Sequence, residues 1–134
     1  MEKELKTKGW DSVKDSGVRE EFDTGSKRDS RKGKGRFDLL PFYAIQRLAR
    51  VYEHGAVKYG DNNWRRGQPC SRYLDSALRH LAKAGSGWDD EDHFAQAMWN
   101  IASIIETQKM IELGNAPKEL DDLTNFVPTW EEGS

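Results

Sequence analysis

The sequence predicts an all-α fold, a helical bundle preceded by an extended N-terminal arm. Three observations carry that expectation. Apolar side chains recur at spacings of three and four in three stretches between residues 41 and 113, the pattern of helices with one buried face. No stretch alternates apolar and polar residues for long enough to build a sheet. Residues 1–36 hold only Leu5, Trp10, Val13, Val18 and Phe22 as larger apolar side chains, with no lasting period, so they read as an arm outside the core.

The helices follow in order. Pro41 suits a first helical turn. Phe42, Ile45, Ala49, Tyr52 and Ala56 then form one face, which Leu48 and Val51 widen. A first helix is expected at about 41–58, ended by the turn cluster Tyr59-Gly60-Asp61-Asn62-Asn63. Ser71 is a good N-cap for a second helix, with Leu74, Ala77, Leu78 and Leu81 as its stripe and Gly85-Ser86-Gly87 as its stop. Asp89, Asp90, Glu91 and Asp92 crowd the start of a third helix, where the helix dipole favours negative charge. Its apolar stripe is expected through Phe94, Ala97, Met98, Ile101, Ile104 and Ile105, and Gly114 closes it. Beyond Pro117, Glu119 to Asn125 fits a short fourth helix, with Phe126, Val127 and Trp130 as apolar anchors. The expected division is a flexible polar arm over 1–35 and a helical domain over 36–134.

Composition bounds the function. The chain has 134 residues, of which 36% are hydrophobic, 33% charged and 10% aromatic, enough for one compact core. Three helices and a short fourth bury little by themselves and their apolar faces are wide, so a homo-oligomer, dimer or tetramer, is expected. The net charge of -2 speaks against a general nucleic-acid binder. The single Cys70 excludes an intramolecular disulfide framework and fits a reducing compartment. No apolar run approaches the ~20 residues of a membrane span, and the N-terminus lacks the apolar stretch of a signal peptide, so a soluble, cytoplasmic protein without membrane partners is expected.

Two clusters carry chemistry. The loop from Gly55 to Gly67 brings together Lys58, Tyr59, Asn63, Trp64, Arg65 and Arg66. Cations meet phosphates, aromatic rings stack on bases and an amide reads a base edge, so this set suits a nucleotide pocket. The plainer alternative is a turn whose Trp64 covers the core. The second cluster is acidic. Asp89, Asp92, His93, Gln96 and Asn100 recur at helical spacing and share one face, expected opposite the apolar stripe. Asp75 and Arg79 lie one turn apart on the second helix, with His80 at the margin of its stripe. Carboxylates gathered in one place repel unless a cation lies between them, and Mg²⁺ or Mn²⁺ suits oxygen-rich ligand sets. An ordinary acidic helix start is the alternative. No P-loop, His-Glu-x-x-His pair or zinc-type cysteine spacing is present.

These residues resemble the phage dATP/dGTP diphosphohydrolase family. The likeness runs over about residues 35–105. It is carried by Arg36-Phe37-Asp38-Leu39-Leu40-Pro41, Leu48-Ala49-Arg50-Val51-Tyr52-Glu53-His54-Gly55-Ala56, Lys58-Tyr59-Gly60 and Asn63-Trp64. Ser71-Arg72-Tyr73-Leu74-Asp75, Ala77-Leu78-Arg79-His80-Leu81 and His93-Phe94-Ala95-Gln96-Ala97 with Asn100 continue it. In this chain Gln96 stands where the family has a second histidine, and the acidic loop before the helix is shorter. The family is similar to the MazG group of all-α enzymes that cleave nucleoside triphosphates to monophosphate and pyrophosphate. Members from phages that replace adenine with 2-aminoadenine act on dGTP.

The resemblance implies a purine deoxynucleoside triphosphate, dGTP or dATP, as substrate, and two or more Mg²⁺ or Mn²⁺ ions held by His80, Asp89, Asp92 and His93. It implies Arg79, with Asp75 or Glu53, at the reacting groups. Lys58, Tyr59, Asn63, Trp64, Arg72 and Asn100 would then contact the nucleotide. The alternative is a non-enzymatic helical module that binds nucleic acid or a partner through the basic run Lys27–Arg36. A His-Asp-type triphosphohydrolase is a further rival, but it needs an adjacent His-Asp pair, and here Asp92-His93 stands in reversed order.

Overall fold

The structure, a computed structural model, describes residues 13–123. They divide into two compact units between Leu40 and Pro41. The expected anchors Phe126, Val127 and Trp130 lie outside the described residues.

The first unit holds a feature the sequence does not advertise. Strands β1 (Arg19–Glu21) and β2 (Lys27–Asp29) pair antiparallel. Each is three residues long, too short for alternating hydrophobicity to register. Their pairing is written in charge instead: Arg19 faces Asp29, Glu20 faces Arg28 and Glu21 faces Lys27, and opposite charges across a ladder attract. Gly25, at φ 85°, turns the chain between them. Asp29 ties the flanks together by accepting from Ser16 Oγ at 2.5 Å and Lys34 Nζ at 2.8 Å. Those two partners hold its carboxyl far below the usual carboxylate range.

The second unit is helical. Helix α1 (Phe42–Tyr59) begins one residue after Pro41 and ends at Gly60. Helix α2 (Cys70–Gly85) starts two residues earlier than a Ser71 cap implies, with Pro69 in the cap position. Ser71 is therefore inside the first turn rather than at the cap. Its backbone N–H and hydroxyl both donate to the Asp122 carboxylate, at 2.8 and 2.6 Å, which fastens the later chain to the start of α2. Gly67 explains the approach of that chain. It sits at φ 92°, and a Cβ there would come within 2.9 Å of Leu120. Helix α3 (His93–Glu112) is capped by Asp92, whose carboxylate accepts from Ala95 N–H. Asn115 N–H bonds Met110 O and Gly114 N–H bonds Ile111 O, the paired closure that a left-handed glycine permits. Where a short fourth helix is expected, the described part is a single 3₁₀ turn, Lys118–Leu120.

Helix α3 packs against both α2 and α1. Tyr73 meets Trp99, and His80 meets His93, so α2 runs antiparallel to α3. Arg47 meets Asp92 and Tyr52 meets Trp99, so α1 runs parallel to it. The seating of α3 differs from the expectation. Its buried residues are His93, Ala95, Ala97, Asn100, Ser103 and Thr107. Of the polar residues expected to face away from the core, His93 and Asn100 are turned into it and Gln96 is half-buried, while Asp89 and Asp92 are exposed; Phe94, Ile101 and Ile105 of the expected apolar stripe stay 57%, 45% and 58% exposed. Small side chains allow this close seating. Asn100, Ser103 and Thr107 also satisfy themselves locally, each donating to the carbonyl four residues back at 2.7–2.8 Å.

The apolar core is correspondingly slight. The buried apolar residues are Cys70, Tyr73, Ala77, Ala95 and Ala97, and none of the described Leu, Ile, Val, Phe or Met side chains is fully buried. Burial raises the Cys70 thiol above its ordinary value, which fits an inert packing role. The Tyr73 hydroxyl is buried without a hydrogen-bond partner among the described residues. An unpaired buried hydroxyl is costly. Tyr73→Phe should therefore leave stability unchanged or raise it by about 1 kcal/mol, read as the urea midpoint. A loss of stability would mean that the hydroxyl has a partner.

Candidate active site at the start of helix α3

Asp92 anchors the site. As N-cap it closes the first turn of α3, and Arg47 reaches across from α1 to grip the same carboxylate with two nitrogens, Nε to Oδ2 at 2.8 Å and Nη2 to Oδ1 at 2.5 Å. The guanidinium holds the Asp92 carboxyl below its ordinary value. Arg47 carries no motif in the sequence, and only the fold reveals it.

Behind Asp92 lies a buried histidine pair. His80 and His93 are 7% and 2% exposed, and their Nδ1 atoms are 2.9 Å apart. On its other side His93 Nε2 is 2.7 Å from Asp90 Oδ1. Asp90, ionised, accepts from His93 Nε2–H, and a single hydrogen is shared between the facing Nδ1 atoms of His93 and His80. Burial, followed by the proximity of His93, lowers the His80 pKa below its ordinary 6.5. The hydrogen bond from His93 lowers that of Asp90.

An open cleft of about 350 Å³ lies over this cluster, lined by Arg47, Ala84, Trp88, Asp89, Glu91, Asp92, His93 and Phe94. Asp90, Glu91 and His93 each present one ligand atom within 4.8 Å of the others. Two carboxylates and an imidazole so spaced fit a divalent cation with oxygen and nitrogen preference. Glu91 is steadied by Gln96 Nε2 at 2.7 Å. His80 does not line the cleft. It stands behind His93, its Nδ1 against the Nδ1 of that ring.

Of the residues expected from sequence, the structure therefore brings Asp89, Asp92, His93 and His80 together. It adds Arg47, Asp90, Glu91, Trp88 and Phe94. Asp90 lies in the bend before the Asp92 cap, outside the helix, so helical spacing gave no signal of its contact with His93. Asn100 lies in the core with its amide bonded to Gln96 O. Asp75 and Arg79 pair with each other at 3.3 Å on the exposed side of α2, and Arg72 is exposed there too. Glu53 is exposed on α1, outside the cleft.

The Lys58–Trp64 loop stands apart as well. Lys58 follows Arg47 by eleven residues along α1, about 16 Å of helical rise. Trp64 packs edge-on to Tyr52 at 6.4 Å and beneath Arg65 at 5.1 Å, so its ring is engaged in covering the core. Lys58 lies beside the exposed Tyr59 ring, 5.6 Å from its centroid. Among the described residues no helix is long and apolar enough to cross a membrane.

An all-α unit with an acid- and histidine-lined cleft at a helix start defines the class. A family model described as dATP/dGTP diphosphohydrolase, N-terminal, matches residues 24–116. The chain belongs to that family. The match covers the second strand of the hairpin and all three helices. No curated protein and no solved structure matches the chain.

The lowered His80 pKa has a consequence for stability. The unfolded chain takes up a proton on this histidine near pH 6.5, while the folded chain resists until lower pH. Below pH 6.5 the unfolded state then binds more protons, and stability falls as pH drops through the interval between the two values. The metal-free protein should melt at lower temperature at pH 5.5 than at pH 7.5, and His80→Asn should flatten that difference. Equal wild-type melting temperatures at the two pH values would contradict the buried neutral histidine.

Proposed function

We propose that the protein hydrolyses a purine deoxynucleoside triphosphate, dGTP or dATP, to the monophosphate and pyrophosphate. Family membership over residues 24–116 carries the proposal, and the cleft at the start of α3 supports it. A water oxygen bonds to the α-phosphorus, the bond to the bridging oxygen breaks, and pyrophosphate leaves with that oxygen.

The residues that fit the cations are Asp90, Glu91 and His93, with Asp89 and Asp92 beside them. Divalent ions there would offset phosphate charge and supply a more acidic bound water. The protein's own groups do the rest. His93 offers Nε2 to a cation only after giving up its bond to Asp90. Its single proton then sits on Nδ1 and is donated to His80 Nδ1, which leaves His80 protonated at Nε2. His80 thereby sets the orientation and tautomer of His93.

Arg47 and Asp92 have a matching exchange open to them. Asp92 cannot serve a cation while both its oxygens are gripped by a guanidinium. A triphosphate gives Arg47 a stronger bidentate partner, so its arrival would draw Arg47 to the phosphates and release Asp92. Trp88 and Phe94 are the aromatic rings at the cleft, and they replace Tyr59 and Trp64 as the surfaces for the purine.

Binding of nucleic acid through the basic run receives less support. Of its six cations, Arg31 and Arg36 pair with Asp38 and Lys34 pairs with Asp29.

Incubation with dGTP or dATP and Mn²⁺ or Mg²⁺ should yield monophosphate and pyrophosphate. Release of orthophosphate, or no turnover, would sink the reading. His93→Ala should lower kcat/KM about a hundredfold, and Trp88→Ala should raise KM more than Trp64→Ala does. Arg47→Ala should raise KM and, in the absence of nucleotide, tighten Mn²⁺ binding by freeing Asp92. Unchanged Mn²⁺ affinity would reduce Arg47 to a structural clamp.

A further inference from the structure

The turn that leads into α3 carries side chains that the cation-fitting set leaves unused. Trp88 is placed by the end of α2. Its N–H bonds Lys83 O and Gly87 N–H bonds Ala84 O, each at 3.1 Å, a paired closure that Gly87 at φ 81° permits. Such a closure folds the residue after the glycine back over the last turn of the helix. There the Trp88 ring meets the Lys83 ammonium, 5.1 Å from the ring centroid. Trp88 lines the cleft and Lys83 does not, so the ammonium occupies the face of the indole turned away from the cleft. The other face is open, and Trp88 is 55% exposed. A large planar ring, fixed by main-chain bonds and backed by a cation, is a surface on which a base can stack.

Asp89 follows Trp88 and lines the same cleft. Its three acidic neighbours are engaged: Asp90 with His93, Glu91 with Gln96 and Asp92 with Arg47. Asp89 has no hydrogen-bond or ion-pair partner among the described residues, and it stands outside the Asp90, Glu91 and His93 set whose ligand atoms converge. An ionised carboxylate only accepts hydrogen bonds, and it suits two parallel donors best. Guanine offers such a pair in N1–H and the N2 amino group. Adenine offers one donor at N6 beside an acceptor at N1, which a carboxylate repels.

We propose that Asp89 is the residue that selects guanine, reading the edge of the base that Trp88 stacks on, and that Lys83 is the positioning residue that holds the Trp88 ring. This rests on the reading of the cleft as a nucleotide site and adds to it the groups that choose the base. The two oxygens of Asp89 accept from N1–H and from the N2 amino group. Asp90, Glu91 and His93 remain for the cations and Arg47 for the phosphates. The cleft of about 350 Å³ thus has a base end and a phosphate end, and its size falls within the ~300–1,000 Å³ of small-molecule sites. Discrimination is strong at such a site, because the wrong base leaves a polar group of the protein facing no donor.

The full chain, metal-free and labelled with fluorotryptophan, is titrated with millimolar dGMP or dAMP and followed by fluorine NMR. The Trp88 line is the one lost in Trp88→Phe. dGMP should shift that line and bind about tenfold more tightly than dAMP. Asp89→Asn should weaken dGMP about tenfold and leave dAMP unchanged. Lys83→Met should weaken both nucleotides about fivefold, and Lys83→Arg should restore them. Lys109→Met, at the far end of α3, should change neither. These variants keep the fold, because the closure of α2 uses main-chain atoms of residue 83. In turnover the same losses should appear in KM for dGTP, with kcat unchanged.

Equal affinity for dGMP and dAMP overturns the proposal. So does an Asp89→Asn variant that loses Mn²⁺ affinity and keeps the preference for dGMP, since Asp89 is then a cation ligand. Hydrolysis of dGTP with the Trp88 line unmoved by either nucleotide removes the base subsite and leaves the reaction standing. A selective shift of the Trp88 line by dGMP without hydrolysis supports the subsite and removes the reaction.

Discussion

The seating of α3 governs the rest of the molecule. The helix turns its small and polar edge, His93, Ala97, Asn100, Ser103 and Thr107, against its neighbours. Its larger apolar side chains are left outside. One rotation thus has two effects. It brings His93 against His80 and lets Asp90 reach the far nitrogen of His93. It also strips the protomer of a conventional core. A buried imidazole pair and a bare apolar face are two results of the same choice, and small side chains on α3 make the close approach of α2 possible.

The site is organised around shared partners. Asp92 caps α3, is held by Arg47 and lies next to His93. Asp90 is tied to His93, and His93 to His80. Asp90, Glu91 and Asp92 each already have a cationic or donating neighbour in the protein, which is how several carboxylates coexist in one turn. Such an arrangement is poised for exchange. In the proposed reaction a cation would replace the donors on the carboxylates, and a phosphate would replace the carboxylate on Arg47. The low net charge, which at first suggests indifference to polyanions, is consistent with a triphosphate whose charge is met by metal ions rather than by the protein alone.

Much of the helical framework was legible in the sequence. Gly60, Gly87 and Gly114 mark the three stops, and the acidic run marks the start of α3. The face of α3 was not legible, because its apolar stripe is real and periodicity alone cannot say whether a stripe faces the core of its own unit or lies outside it. Ser71 misled by two residues, since its hydroxyl serves Asp122 rather than the helix end. The hairpin escaped because its strands pair through charge and are very short. For the site, residue chemistry and local spacing exposed Asp89, Asp92, His80 and His93, all within or near one segment. Arg47 lies 45 residues from Asp92 in sequence, so only tertiary packing could bring it forward. The Lys58–Trp64 loop had suitable residue types, but the length of α1 carries it away from the acidic cluster.

A crystal structure of the full chain with Mn²⁺ and a non-hydrolysable dGTP analogue tests the central claim most directly. The account predicts Mn²⁺ on His93 and the carboxylates of the Asp89–Asp92 turn, the phosphates beside Arg47 and the purine against Trp88. A nucleotide seated on Lys58, Tyr59 and Trp64, with its phosphates remote from the start of α3, would contradict it.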